Sequence, residues 1–214
     1  MQSSIVETVK QQAADIFANA PGSHDWEHTR RVVHLCRRIG AREKVDMTVL
    51  LAAAYLHDIG RCHPQGSDGS ICHAEQGAAM AAPLLAPLPI AGDRRTNILH
   101  AIRSHRYRGR TAPSSIEAMV LFDADKLDAI GAVGVARAYL FAGELGAVLH
   151  IPDVDAAELK AYSKEDTGYR EYRVKLRHIH KRMLTDEGHR IARERHAFME
   201  HFFDRFLQEV DGRC

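Results

Sequence analysis

The sequence lacks an apolar run long enough to cross a bilayer. Its longest apolar stretch extends only from Met47 to Leu56 and includes Thr48. The first residues, MQSSIVETVKQQ, also lack the apolar core of a signal peptide. We therefore expect a cytoplasmic protein that has no membrane partner.

Neither sign of charge is in excess, and cysteine is scarce. The 29 lysines and arginines nearly balance the 28 aspartates and glutamates, so no global field favours nucleic acid. The basic stretch RVKLRHIHKR alone indicates a solvated helix face more than a nucleic-acid site. Four cysteines in 214 residues do not suggest a disulfide framework, and we interpret them as reduced thiols.

Strand signals are nearly absent, whereas helical spacing recurs along the chain. One apolar face begins at His28 and continues through Val32, Leu35 and Ile39, after a possible cap at Asp25. The spacing predicts an all-α fold in one domain over residues 1–214. Its core covers about residues 22–140, and a C-terminal helical layer covers about residues 168–210.

Capping residues and prolines predict the boundaries of the individual helices. They indicate a helix capped by Asp46 with Gly60 at its C′ position, a second helix at His73–Leu85 and a third that begins at Asp93. A capping box of Ser114 and Glu117 begins a further helix that continues through Ile130. The last two helices are predicted at Tyr169–Met183 and Thr185–Val210. The segments at about 62–71 and 143–167 are predicted loops.

Several polar residues fall on apolar helical faces, where burial costs free energy unless something compensates it. They are His28, His57, Asp58, His105 and Asp125. A single such residue is usually a hydrogen-bonded core group. Several on different helices favour a divalent cation, because imidazoles and carboxylates are ligands that such cations prefer.

These residues resemble the signature of the HD-domain metal-dependent phosphohydrolases, a histidine, an adjacent His-Asp pair and a distant aspartate on separate helices. The matching residues are His28 in HDWEHTRRV, His57 and Asp58 in HDIGR, and Asp125 in DADKLDAIGA. The C-terminal RMLTDEGHRIARERHAFMEHFFDRFLQE is similar to a bacterial branch of small stand-alone members. The resemblance, over about residues 22–209, implies an HD-domain helical bundle with additional C-terminal helices.

The resemblance also implies that His28, His57, Asp58 and Asp125 hold a divalent metal ion. Manganese is the first expectation, and iron, nickel, zinc or magnesium would also fit these ligands. Asp123 competes with Asp125 for the fourth position, but the family pattern favours Asp125. Asp123 and Asp128 are then expected to orient ligands or to cap local backbone.

Other polar residues near the signature are candidates for substrate binding and proton transfer. In the cyclic-dinucleotide branch of the family, positions similar to His73 and His105 supply a second metal, but Arg106 stands here where that branch has another histidine. We therefore expect one tightly held metal, with His73 and His105 lining the pocket as phosphate contacts or proton-transfer groups. Asp58 is expected to accept a proton. The candidate phosphate-binding cations are Arg61, Arg103, Arg106, Arg108 and Lys126.

Arg61 stands where some nucleotidase relatives have a glutamate that handles water. Arginine cannot act as a base at neutral pH, which argues against a glutamate-base mechanism here. A rival interpretation is a structural zinc site at Cys62, His63, Cys72 and His73. It lacks the closely spaced cysteine pairs that are typical of such sites.

The resemblance implies a phosphohydrolase that acts on a small phosphorylated molecule, with a nucleotide as the favoured substrate. Cleavage of a nucleoside triphosphate to the monophosphate and pyrophosphate is the most specific expectation. The alternatives are a cyclic or linear nucleotide phosphodiesterase and, outside enzymes, a non-catalytic sensor that binds a metal or nucleotide. Related proteins are often dimers, so a homodimer is one expected assembly.

Overall fold

The computed structural model describes residues 2–18, 26–62, 72–106 and 111–214. Helices and turns make up these four ranges, and no β-strand occurs in them. The predicted all-α fold is therefore confirmed. Within the same ranges, no helix combines the length and the apolar composition needed to cross a membrane.

The chain forms two compact units, Met1–Asp125 and Lys126–Cys214. The first unit contains the helices α1 (Gln2–Ala18), α2 (Trp26–Gly40), α3 (Met47–Leu56), α4 (His73–Leu85) and α5 (Gly92–Ser104), and a 3₁₀ turn at Ile59–Cys62 precedes α4. The unit boundary falls within α6 (Ile116–Asp128). That the whole chain acts as one domain stays a prediction.

Helix α3 is the centre of the first unit, because it is buried from Thr48 to Leu56 and packs against α1, α2 and α5. Asp46 caps it as predicted, since its carboxylate accepts the backbone N–H groups of Thr48 and Val49. Glu117 of α6 in turn accepts the backbone N–H of Asp46 at 2.7 Å. The start of α3 is thus fixed by its own cap and by a second helix.

The predicted capping box of Ser114 and Glu117 is wrong by one residue. Helix α6 begins at Ile116, and the Ser115 hydroxyl accepts the backbone N–H of Ala118 at 3.2 Å. The Glu117 carboxylate points instead towards the start of α3. It accepts a hydrogen bond from the side-chain amide of Asn97 at 2.9 Å in addition to the one from the backbone of Asp46. The other predicted cap, Asp25, lies outside the described residues.

Gly60 does not occupy the C′ position of α3, which ends at Leu56. It lies in the 3₁₀ turn, where the chain passes very close to α4. A Cβ atom on Gly60 would lie 2.1 Å from the carbonyl oxygen of His73 and 2.6 Å from the backbone nitrogen of Gly77. Only glycine allows this approach, which brings the turn after Asp58 against the start of α4.

All regular secondary structure in the second unit is helical. After the end of α6 at Asp128 it contains α7 (Gly131–Glu144), α8 (Gly168–Glu171), a π-helical turn (Tyr172–Leu176), α9 (Arg177–Ile179), a 3₁₀ turn (His180–Arg182) and α10 (Asp186–Val210). Thr185 caps α10, and residues 145–167 form the predicted loop. The predicted helix through Ile130 is wrong: α6 ends at Asp128, and Gly131, with φ of 79°, starts a new helix.

We predict that Gly60→Ala destabilises the protein by about 1–3 kcal/mol, because the added methyl group meets backbone atoms that cannot rotate away. Gly92→Ala is the matched control, since a Cβ atom there has no neighbour within 4 Å. Thermal unfolding of the two variants and the wild type measures the effect. A melting temperature for Gly60→Ala equal to that of Gly92→Ala would contradict the close approach.

Candidate metal centre

The His-Asp pair lies where α3 ends. His57 is the C-cap residue of that helix, and both His57 and Asp58 are buried. Nδ1 of His57 donates to the carbonyl oxygen of Ala54 at 2.8 Å. This bond fixes the ring so that Nε2 carries the lone pair and faces the interior, as is usual for metal-binding histidines.

The predicted metal ligands of α2, α3 and α6 converge on this nitrogen. His28 Nε2 lies 3.3 Å from His57 Nε2 and 3.4 Å from Asp125 Oδ1. Asp58 Oδ2 lies 3.7 Å from His28 Nε2 and 3.8 Å from His57 Nε2. The donor atoms of His28, His57 and Asp125 all lie within 4.8 Å of one another, an arrangement that could hold a metal ion.

A second group of ligand atoms meets the other oxygen of Asp58. Oδ1 lies 3.6 Å from His73 Nε2 and 3.4 Å from His105 Nε2. These three donor atoms also all lie within 4.8 Å of one another, so they could hold a metal ion. Nδ1 of His105 donates to the carbonyl oxygen of Ile102 at 2.6 Å, so its Nε2 faces the carboxylate. Asp58 therefore lies between the two triads: Oδ1 belongs to the second, and Oδ2 faces His28 and His57 of the first.

The chemistry of these donors fits a divalent cation. With Nδ1 of His57 held by a carbonyl group, Nε2 of this neutral ring directs a lone pair towards a carboxylate that also offers only lone pairs. A cation between them turns this repulsion into coordination. Burial, with Asp125 nearby, raises the pKa of the Cys36 thiol, so no thiolate is available from α2 at neutral pH.

The protonation states required for metal binding are already favoured by the surroundings. Burial lowers the pKa of His57 to about 4. Burial, with the charge of Arg61, lowers the pKa of His73 to about 3. Burial alone would raise the pKa of Asp58, but neighbouring His57 and Arg61 hold it well below its ordinary value. Both imidazoles are thus neutral and the carboxylate is ionised at neutral pH.

Arg61 is the predicted phosphate ligand that the structure places directly at the centre. Its Nε donates to Asp58 Oδ2 at 2.9 Å, and an Nη atom lies 3.1 Å from His73 Nε2. The side chain remains one-third exposed. The guanidinium therefore has one edge on the carboxylate of Asp58 and part of its surface open to an incoming anion.

Two of the other predicted cations contact different groups. Arg103 forms an exposed ion pair with Glu75 at 3.4 Å, and Arg106 donates to the Cys72 sulfur at 3.4 Å. Lys126 follows Asp125 on α6 and is buried. Arg108, and His63 of the rival zinc site, lie outside the described residues.

Two further acidic residues were expected to support the ligands. Asp123 is fully buried on α6. Asp128, at the end of the same helix, forms an ion pair with Arg137 of α7. The role of Asp123 in orienting a ligand stays a prediction.

The sequence analysis missed the carbonyl groups that orient the rings. Ala54 and Ile102 each lie three residues before the histidine that they hold. In both cases the histidine is the C-cap residue that follows an α-helix. A histidine at a helix C-terminus, three residues after an unpaired carbonyl, is a signal that could have indicated both bonds.

Comparisons with known proteins agree with this geometry. The HD domain family matches residues 25–130. The protein YpgQ of Bacillus subtilis is 32% identical over 211 residues, which cover 96% of this chain and 94% of YpgQ.

Solved structures extend the similarity to the whole chain. An HD-superfamily hydrolase from Bacillus thuringiensis superposes with a TM-score of 0.79 at 25% identity, covering 99% of each chain. The structure of Bacillus subtilis YpgQ in complex with ADP gives a TM-score of 0.74 at 28% identity, covering 98% of this chain and 96% of that one.

The lowered pKa of His57 predicts how stability depends on pH. An exposed histidine in the unfolded chain takes up a proton near pH 6.5, whereas folded His57 does so only near pH 4. Between these values the unfolded state binds more protons, so lowering the pH favours unfolding. We predict that protonation of His57 alone lowers the free energy of unfolding of the metal-free protein by up to about 3 kcal/mol across this window. Above the window, His57 has no effect on this free energy.

Urea unfolding of metal-free protein between pH 7 and pH 4.5 measures this dependence. The control is His57→Gln, which removes the titrating ring and should flatten the profile. Equal slopes for the variant and the wild type would show that His57 is not held neutral by burial.

Proposed function

Because this chain belongs to the HD-domain superfamily, we propose that it is a divalent-metal-dependent phosphohydrolase acting on a small phosphorylated molecule. The observation that supports this most is the presence of two adjacent triads of imidazole and carboxylate donors, with Asp58 in one and 3.7 Å from His28 of the other. Such a centre has protein ligands on several sides and a partly exposed arginine at its edge. It is suited to holding a phosphate group against positive charge.

We propose that His28, His57, Asp58 and Asp125 hold the tightly bound cation, with manganese as the first candidate. Iron, nickel, zinc and magnesium are the alternatives for a nitrogen and oxygen donor set. The bound cation would supply positive charge against phosphoryl oxygens and a lowered pKa for water. The carbonyl bonds to His57 and His105 keep the ring nitrogens aimed at the centre without further rearrangement.

The other residues of the centre have proposed roles in binding and proton transfer. Asp58, ionised at neutral pH, can accept a proton as well as bind the cation. His73 and His105 are proposed to contact phosphate or to transfer protons. Arg61 is a fork-shaped donor for phosphate oxygens, and Lys126 is a further phosphate contact. Arg103, Arg106 and Arg108 remain proposed substrate ligands.

The favoured substrate is a nucleotide, and the favoured reaction cleaves a nucleoside triphosphate to the monophosphate and pyrophosphate. The structure of YpgQ with ADP supports this substrate class, because that relative matches this chain over nearly its whole length. A nucleotide phosphodiesterase is the second candidate. The triad of Asp58, His73 and His105 favours it, because similar positions supply the second metal in the cyclic-dinucleotide branch.

We predict that Asp58→Asn lowers hydrolysis by about 100-fold or more, because one substitution removes a negative charge of the second triad that also faces the first. The matched control is Asp93→Asn, an exposed position on α5 that should retain wild-type rates. The measurement is turnover of nucleoside triphosphates, cyclic dinucleotides and simple phosphate esters with manganese added. Product analysis then distinguishes pyrophosphate release from diester cleavage.

Retention of wild-type turnover by Asp58→Asn would contradict the proposed centre. A wild-type protein that binds metal but hydrolyses none of these substrates would instead favour a non-catalytic sensor.

We predict that the two triads differ in how strongly they hold metal. His28→Ala should lose the tight cation on dialysis, whereas His73→Ala should retain it, because only the first variant removes a ligand of the proposed tight site. Elemental analysis of dialysed protein measures the metal content per chain. Equal loss in both variants would show that the two triads bind metal as one unit.

A further inference from the structure

A pocket of about 240 Å³ opens on the surface of the first unit between α1, α2 and α3. Four basic side chains and two aromatic rings line it: Lys10, Arg30, His34, Arg37, Trp26 and Tyr55. We call it the α2 pocket. None of these residues belongs to either metal triad.

The α2 pocket and the metal centre use opposite faces of the same helix. Trp26, Arg30 and Arg37 recur at i, i+4 and i+11, so they share one side of α2. His28 is two residues after Trp26, a rotation of about 200° around the helix axis. It is 4% exposed, whereas Arg30 and Arg37 are exposed. A ligand in the α2 pocket would therefore not touch the metal ligand of this helix.

The charges of the pocket are suited to an anion. Lys10 pairs with Glu7 at 3.0 Å and Arg30 pairs with Glu27 at 2.8 Å. Both pairs are solvent-exposed, so water screens them and a stronger anion can compete for the cations. Within the described ranges, Arg37 has no ion-pair partner. Its guanidinium is thus available to a phosphate group, for which its fork of N–H donors is well matched.

The aromatic side of the pocket is rigid. The rings of Trp26 and Tyr55 stack with centroids 5.9 Å apart and an angle of 19° between their planes. Phe17 packs against Trp26 from another direction, with centroids 6.0 Å apart. Tyr55 is 5% exposed and lies on the central helix α3. The cations therefore stand around a fixed wall, which lowers the ordering cost of binding.

We propose that the α2 pocket binds the phosphate groups of a small phosphorylated molecule, independently of the metal centre. Its volume lies below the range of about 300–1,000 Å³ typical for drug-sized ligands, which indicates a compact occupant. Pyrophosphate and a mononucleotide share the required chemistry. The positive charge comes from the chain itself, so binding needs no metal ion.

The single tryptophan of the chain, Trp26, lines the pocket, so its fluorescence reports occupancy directly. The titration uses full-length protein in a metal chelator at constant ionic strength, with pyrophosphate as the ligand. AMP, which absorbs light, is titrated by calorimetry. Saturable binding is expected, and Arg37→Gln should weaken it by about tenfold or more, because a charged hydrogen-bond donor is lost.

Arg42→Gln is the matched control, since it removes the same charge from an exposed residue outside the pocket. It should bind like the wild type. Tighter binding of AMP than of pyrophosphate would identify a nucleotide as the ligand, and equal binding would identify the phosphate groups alone. No saturable binding of either ligand, or equal affinities for Arg37→Gln and Arg42→Gln, would overturn the proposal. The chelator removes metal, so this titration does not depend on the metal centre. A failure of the proposed hydrolase function would therefore leave the binding result unchanged.

Discussion

The convergence of lone pairs on one buried volume is the constraint that organises the first unit. Imidazole nitrogens and carboxylate oxygens do not attract one another in this arrangement, and burying them costs free energy unless they are compensated. The chain supplies part of the compensation through Arg61 and through the carbonyl groups that hold His57 and His105. A bound cation would compensate for the part of this free-energy cost that these contacts leave uncompensated. Without it, such a cluster has no evident structural advantage over an apolar core.

Such a cluster requires that α3 be held at both ends, because a small displacement would separate the two triads. At its start, Asp46 caps the helix and Glu117 holds the backbone of Asp46. At its end, Gly60 lets the chain pass within backbone contact of α4. This passage places the first residue of α4, His73, beside the carboxylate of Asp58. The glycine contact and the second triad are therefore consequences of one close approach.

The sequence was sufficient for features that depend on local pattern. His28, His57, Asp58 and Asp125 could be singled out because each is polar on an apolar helical face and because they match the family pattern, which favoured Asp125 over Asp123. Capping signals placed the starts of α3 and α10. Pairings between distant segments were not predictable in this way. Glu117 was assigned to its own helix, yet it bonds to a residue 71 positions earlier. The position of Asp58 between the two triads is likewise a property of several helices meeting, which no single segment encodes.

Helix α2 shows how the same physical rule gives opposite chemistry on its two faces. On the buried face, His28 Nε2 lies 3.4 Å from Asp125 Oδ1 and 3.7 Å from Asp58 Oδ2, so that face favours a cation. On the exposed face, Arg37 offers charge and hydrogen-bond donors, so that face favours an anion. Solvent screens the charge, which makes this preference weaker. The degree of burial determines how strongly each face prefers its ion. The buried face should therefore select its ion by geometry, and the exposed face by charge and size.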